Sequence, residues 1–218
     1  MILSFPHKVI SADIEGITFQ IGIKGGYGYS DAEIFNHTST PLGFTTKDSM
    51  SGGIHVHFSH VEYVRMQIEA LYIKKGFKRN TFWADIDCFS FPILLRLQAP
   101  FGLYANFGFS PTYMHDGEVY EKNSTYKDID NYFERLIYDF QGGIGWDIKV
   151  SKSFSFFMEL RYSEALNNIS NNRYPEGVFP VSTHLFFGVQ SDFSFISPPK
   201  PSSTKEGDTT SGDQAPPK

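Results

Sequence analysis

"TFQIGIKGGYGYS", residues 18–30, alternates without a slip. Phe19, Ile21, Ile23, Tyr27 and Tyr29 share one parity, while Gln20, Gly22, Lys24, Gly26 and Gly28 share the other. A period of two is that of an extended strand, whose successive side chains point to opposite faces. One face is apolar and needs an apolar neighbour. The other is given to glycines, an amide and an ammonium. What that second face meets decides the fold.

The pattern recurs along the chain. Ile54, Val56 and Phe58 alternate with His55, His57 and Ser59; Val64, Met66, Ile68, Ala70 and Tyr72 alternate with Arg65, Gln67 and Glu69. Further on, Ile93, Leu95 and Leu97 oppose Arg96 and Gln98; Leu103, Ala105, Phe107 and Phe109 oppose Tyr104, Asn106 and Gly108. Phe140, Ile144, Trp146 and Ile148 oppose Gln141, Gly143, Gly145 and Asp147. Phe156, Met158, Leu160 and Tyr162 oppose Glu159 and Arg161, and Leu185, Phe187, Val189 and Phe193 oppose His184, Gly188, Gln190 and Asp192. The reading is about eight strands, none with a charge on its apolar face. Alternate strands join through short turns at "HVE", "AP" and "SKS". The remaining connections are expected to be long loops, at 30–52, 114–136 and 165–180, with a shorter one near 75–82.

A soluble barrel turns its apolar face inward and shows water a face of Lys, Glu and Thr. Here the second face is crowded with glycine, which packs nothing when exposed on a strand. Inside a narrow barrel the same glycines leave room for large side chains from facing strands. The fold class read from the sequence is therefore all-β: an eight-stranded antiparallel up-and-down transmembrane β-barrel, apolar face to lipid, with short periplasmic turns and long extracellular loops. Strands of about ten to twelve residues, tilted about 40°, cover roughly 25–30 Å, the thickness of a hydrocarbon layer. Lys24, Arg65, Glu69, Arg96, Asp147, Glu159 and Arg161 then fall in the lumen, as a structural polar network. Pairing the two strands about "SKS" sets Gly143 opposite Arg161 and Gly145 opposite Glu159.

Composition agrees. Aromatic residues make up 17% of the 218, with 22 Phe, yet the mean hydropathy is -0.27. No apolar run of about 18 residues offers a transmembrane helix. The net charge of -5 comes without a basic stripe, so nucleic acid is not expected as a partner. Cys88, the single cysteine, cannot form an internal disulfide. The opening "MILSFPHKVISADIEG" lacks the apolar run of a secretory signal. That leaves either a chain that is not exported or a signal lying upstream of Met1. The expected domains are an N-terminal segment, 1–16, the barrel, 17–195, and a disordered Pro/Ser/Thr-rich tail, 196–218.

Over roughly residues 17–195 the chain resembles the small outer-membrane β-barrel proteins of Bacteroidetes, the porin and PorT group. The resemblance lies in "IGIKGGYGYS", "MQIEALYIKKGFK", "FSFPILLRL" with its mid-strand proline, "GLYANFGFSPTY" and "FFMELRYSEALNNI", in that order. It implies an eight-stranded barrel in the outer membrane of a Gram-negative bacterium, both termini periplasmic, and no catalytic residues.

Chemical motifs are sparse. His55 and His57 share a face but need a third ligand, Glu62 or Glu69, to hold a metal, and read as luminal polar residues. The carboxylates of "WADID" and "YKDID" lack the glycine-punctuated calcium-loop pattern and read as solvated charge. Ser182 and His184 share luminal parity with no acid placed beside them, so no hydrolase is expected. Trp83 and Trp146 read as interfacial anchors. The sequence thus predicts no catalysis, no cofactor and no metal. Its expected partners are outer-membrane lipid and an envelope or cell-surface protein. Three roles stay open: a structural, surface-interacting barrel acting through its loops; a PorT-like component of an envelope secretion machine; and a soluble lipocalin-like binder.

Overall fold

The computed structural model describes residues 18–35, 45–61, 63–79, 82–121, 124–126, 132–151, 153–170 and 177–194. The expectations for 1–16 and 196–218, for Glu62, and for "YKDID" beyond its tyrosine lie outside those residues. Ten strands are described: β1 (Thr18–Phe35), β2 (Thr45–Val61), β3 (Val64–Arg79), β4 (Phe82–Ser90), β5 (Ile93–Gln98), β6 (Leu103–Glu121), β7 (Ser124–Tyr126), β8 (Leu136–Lys149), β9 (Phe154–Ala165) and β10 (Gly177–Ser194).

All pairings are antiparallel, and they run in a ring. β1 pairs with β2 and with β10; β2 pairs with β3; β6 pairs with β8, β8 with β9, and β9 with β10. β4 and β5 each pair with both β3 and β6, so they are two halves of one stave. Pro92 divides them because it has no N–H to give to the ladder. The ladder continues across the break through its carbonyl: Glu69 N–H donates to Pro92 O at 3.0 Å, and Phe91 N–H donates to Pro111 O at 2.9 Å. Counted as staves, with β7 a short hairpin arm on β6, the ring is eight-stranded. Closure leaves no free edge, the condition for β-structure in lipid.

The turns at one end are tight. Between β5 and β6 the chain needs a left-handed residue, and Gly102 supplies it at φ 92°. Four residues of sequence, 150–153, separate β8 from β9, and the register of these two strands sets Gly143 against Arg161 and Gly145 against Glu159.

The apolar parity faces outward. Ile23 is 60% exposed, Ile144 59% and Phe187 55%, whereas Lys24, Glu69, Arg96 and Arg161 are all 5% or less. A lipocalin-like barrel would have these exposures reversed.

At the other end the structure corrects the sequence reading. The expected loops at 30–52 and 114–136, and the one near 75–82, are in good part strand, whereas 165–180 is strand at Ala165 and again from Gly177 on. β1 runs on to Phe35, β2 starts at Thr45, β3 continues to Arg79 and β6 to Glu121. The reason is an inversion of polarity. Tyr27, Tyr29, Tyr72, Tyr113, Tyr138 and Tyr162 all face outward. Past them, outward positions become Asp31, Lys74, Asp85, Asp87, Asp116, Glu118 and Glu164, while Ala32, Phe77, Ala84, Ile86, Met114, Val119 and Val178 turn inward and are buried. Alternation persists with its sign reversed, as it must where the wall leaves lipid and meets water. Two register shifts help the switch, one between Thr46 and Met50 on β2, the other where His115 is the extra residue opposite Asp87 and Cys88. Bulges of this kind add twist at barrel rims.

Candidate functional site: a filled lumen

The lumen is layered. At its centre four charged residues meet from three strands. Lys24 Nζ on β1 lies 2.6 Å from Glu69 Oε1 on β3 and 3.8 Å from Glu159 Oε1 on β9. Arg161, also on β9, donates to Glu69 Oε2 at 2.7 Å and Oε1 at 2.9 Å, and it pairs with Glu159. Neutral donors complete the carboxylates: Tyr104 Oη and Asn106 Nδ2 donate to Glu159 Oε2 at 3.0 and 2.9 Å, and Gln67 donates to Glu69. Two cations and two carboxylates cancel, as buried charge requires.

Towards the tight turns lies a second group. Arg96 on β5 pairs with Asp147 on β8, which also accepts from Gln98 Nε2 at 2.9 Å. The Arg96 guanidinium sits 3.4 Å from the Tyr104 ring centroid. Arg65 joins neither ion-pair group and donates to Gln20 Oε1. Of the seven luminal charges named from the sequence, the structure therefore brings four into one cluster and two into a pair, and places the seventh on an amide.

Glycine makes the room for these groups, and at Gly143 and Gly145 it does so for side chains of β6 rather than of β9. Gly143 lies opposite Arg161 in register; yet a Cβ there would first meet Asn106 Oδ1, at 2.7 Å, from β6. Gly145 faces the Tyr104 ring in the same way, Gly26 faces Phe186, and Gly188 faces Phe157.

A third polar layer escaped the sequence reading. Lys75 Nζ lies 3.2 Å from Asp139 Oδ2, which also accepts from Thr112 Oγ1 at 2.8 Å. Ser49 Oγ and His184 Nε2 are 2.7 Å apart nearby. Extending the parity of β3 past Tyr72 would have put Lys75 inside, and Asp139 shares the parity of Gln141. Leu71, Ile73 and Phe186 form an apolar layer within the barrel. Above them Phe77, Met114, Ile137 and Ile169 pack with Tyr132 and Phe133 into an apolar cap. Phe133 bridges to Ser170 and sets its ring edge-on to Phe77, with centroids 5.7 Å apart.

The remaining motifs scatter. His55 and His57 are buried, 4.8 Å apart between ring centroids, and contact Gln190 and Gln20. Glu69 is held by Lys24 and Arg161 rather than turned to them, and no group of three metal-ligating side chains occurs among the described residues. His184 contacts Ser49, not Ser182. The indole of Trp146 donates to Phe101 O at 3.1 Å beside the β5–β6 turn, an interfacial position; Trp83 lies beyond the tyrosines, stacked on Tyr120 with Lys47 4.1 Å over its ring.

A ring of antiparallel strands, apolar without and charged within, defines a small transmembrane β-barrel. Residues 7–171 match the outer membrane protein beta-barrel domain family, and the chain belongs to it. It is an outer-membrane β-barrel protein. Among solved structures it is similar to the outer membrane protein OprG from Pseudomonas aeruginosa, at 14% identity and TM-score 0.49, covering 82% of this chain and 96% of that one. Neisserial surface protein A matches at 12% identity and TM-score 0.47, covering 80% and 97%. Ail, the attachment invasion locus protein of Yersinia pestis, matches at 13% identity and TM-score 0.42, covering 82% and 99%. At such distances nothing about function is transferred from them. The search of curated proteins found no match.

Proposed function

We propose that this outer-membrane barrel is a closed scaffold rather than a pore, acting as a structural and surface-interacting protein through its extracellular loops, with an envelope or cell-surface protein as its partner. The observation that carries this reading is the filled lumen. The ion-paired centre, the Leu71, Ile73 and Phe186 layer and the apolar cap occupy successive heights of an eight-stave barrel, whose interior is only wide enough for side chains. In this reading the seven luminal charges are structural, and outer-membrane lipid covers the outward apolar face. No catalytic role is assigned. Reconstituted into lipid vesicles, the protein is expected to leave the osmotic swelling rate in small sugars at that of protein-free vesicles. Swelling at the rate of an open channel would overturn the closed scaffold.

The tight turns are taken as periplasmic, with both termini, and the polar strand extensions as extracellular. Protease added to intact cells should then cut near 36–44 or 122–131 and spare a tag fused after Lys218. Loss of the tag with the long connections uncut would invert the orientation. A second reading, a PorT-like component of an envelope secretion machine, is supported by the resemblance of "IGIKGGYGYS" and "FSFPILLRL" to that group. Capture of secretion-machine proteins by crosslinking in intact envelopes would favour it over the surface role.

A further inference from the structure

Two arginines stand side by side inside the barrel, at the end where the turns are tight. Arg65 on β3 and Arg96 on β5 are direct partners in the antiparallel register, both on the luminal face. Like charges directly opposed destabilise a sheet unless something lies between them. Asp147 takes Arg96, but Arg65 has only the Gln20 carbonyl oxygen. Buried polar atoms remain without partners here: Nε of Arg65, Nε of Arg96, Oε1 of Gln98 and Oδ1 of Asp147. Arg96 is 1% exposed, so water does not readily serve it. An unmet Nε on the buried Arg96 and another on the half-buried Arg65 are costly enough to need an explanation.

Beside them a vestibule of about 310 Å³ opens between the turns. Arg65, Gln98, Asp147 and Lys149 line it, with Tyr63 and Phe101 among its apolar wall. Three cations, Arg65, Arg96 and Lys149, are set against Asp147 and against Asp192, which is held through Gln20. Three against two leaves one positive charge among the described residues.

We propose that this vestibule binds a carboxylate carried on an apolar body, such as the terminus of a peptide. A guanidinium presents paired donors to a planar oxyanion, which a carboxylate matches with two parallel hydrogen bonds. One surplus charge suits a monoanion better than a phosphate dianion. Asp147 Oδ1 opposes any anion, which places the ligand on the Arg65 side, away from it. The aromatic wall takes the apolar body. The site rests on the filled-barrel reading, because only a lumen closed above Arg96 makes this end a pocket rather than a passage.

The test uses the full chain refolded in non-ionic detergent micelles, with each sample first shown to migrate differently unboiled and boiled on a detergent gel. N-acetylphenylalanine, its carboxamide and inorganic phosphate are titrated while backbone amide resonances of residues near Arg65 and Gly102 are followed. The acid should give saturable shifts and the carboxamide none. Arg65→Gln should weaken the acid at least tenfold, and Arg65→Lys less. Equal binding of acid and carboxamide, unchanged binding by folded Arg65→Gln, or binding of phosphate but not the acid would each overturn the assignment. A folded barrel that excludes sugars yet ignores the acid overturns this site and leaves the closed scaffold standing.

Discussion

Replacing Glu69 by alanine should destabilise the barrel by about 3–5 kcal/mol, the range for removing one partner of a buried ion pair. The side chain accepts from Lys24 at 2.6 Å and from Arg161 at 2.7 and 2.9 Å, and neither it nor Lys24 is accessible to solvent. Without it two buried cations share Glu159 alone, whose nearest oxygen is 3.8 Å from Lys24. Glu69→Gln keeps the shape and one acceptor but removes the charge, so it should fall between alanine and wild type. Asp85→Ala breaks an ion pair with Lys47 on the outer wall, where both side chains are partly solvated, and should refold like wild type. Urea unfolding from lipid vesicles, read by the heat-modifiable gel shift, compares the three. A Glu69→Ala midpoint equal to wild type would mean that the central cluster does not hold the staves together.

That cluster was legible from the sequence only in part. Parity alone puts Lys24, Glu69, Glu159 and Arg161 on one face, because a strand between lipid and lumen has no other way to arrange its residues. Parity does not give height. Whether Arg161 meets Glu69 or Asp147 depends on how far each stave is sheared against the next, and the turns that set the shear have few residues to read. The Gly143 case shows the limit. Its β9 partner, Arg161, follows from a short turn in sequence, whereas the atom that fills its space, Asn106 Oδ1, comes from β6 across the long connection.

The strand extensions were missed for a different reason. An apolar face that must keep its sign ends at Tyr29 and Tyr72. The chain instead continues as a water-soluble sheet would, with Asp31 and Lys74 outside and Ala32 and Lys75 inside, the last paired to Asp139. Two solvents along one strand give two patterns, and the tyrosines mark the change. Such residues sit where one end of the side chain is apolar and the other wet.

Gly143→Phe set against Ile144→Phe tests which face meets which solvent. A first side-chain carbon at Gly143 would already lie 2.7 Å from Asn106 Oδ1 and 2.9 Å from the Leu160 carbonyl oxygen, closer than such carbons come, so its neighbours must shift even before a ring is added. Asn106 would have to release Glu159, to which it donates at 2.9 Å, so overpacking also breaks into the central charge cluster. The expected loss is about 1–3 kcal/mol or more, the cost of forcing extra carbons into a packed interior. Ile144 is the next residue on the same strand, shares the same pairing partners' strands and is 59% exposed on the outer wall. A phenylalanine there meets acyl chains, which yield, and refolding yield into vesicles should stay near wild type. Were the apolar face a water-excluded interior instead, Ile144 would be the packed position and Gly143 the tolerant one. The two variants differ by one residue, so they are matched in strand and depth, and the side of the wall is what changes. A greater loss of refolding yield for Ile144→Phe than for Gly143→Phe would turn the barrel inside out.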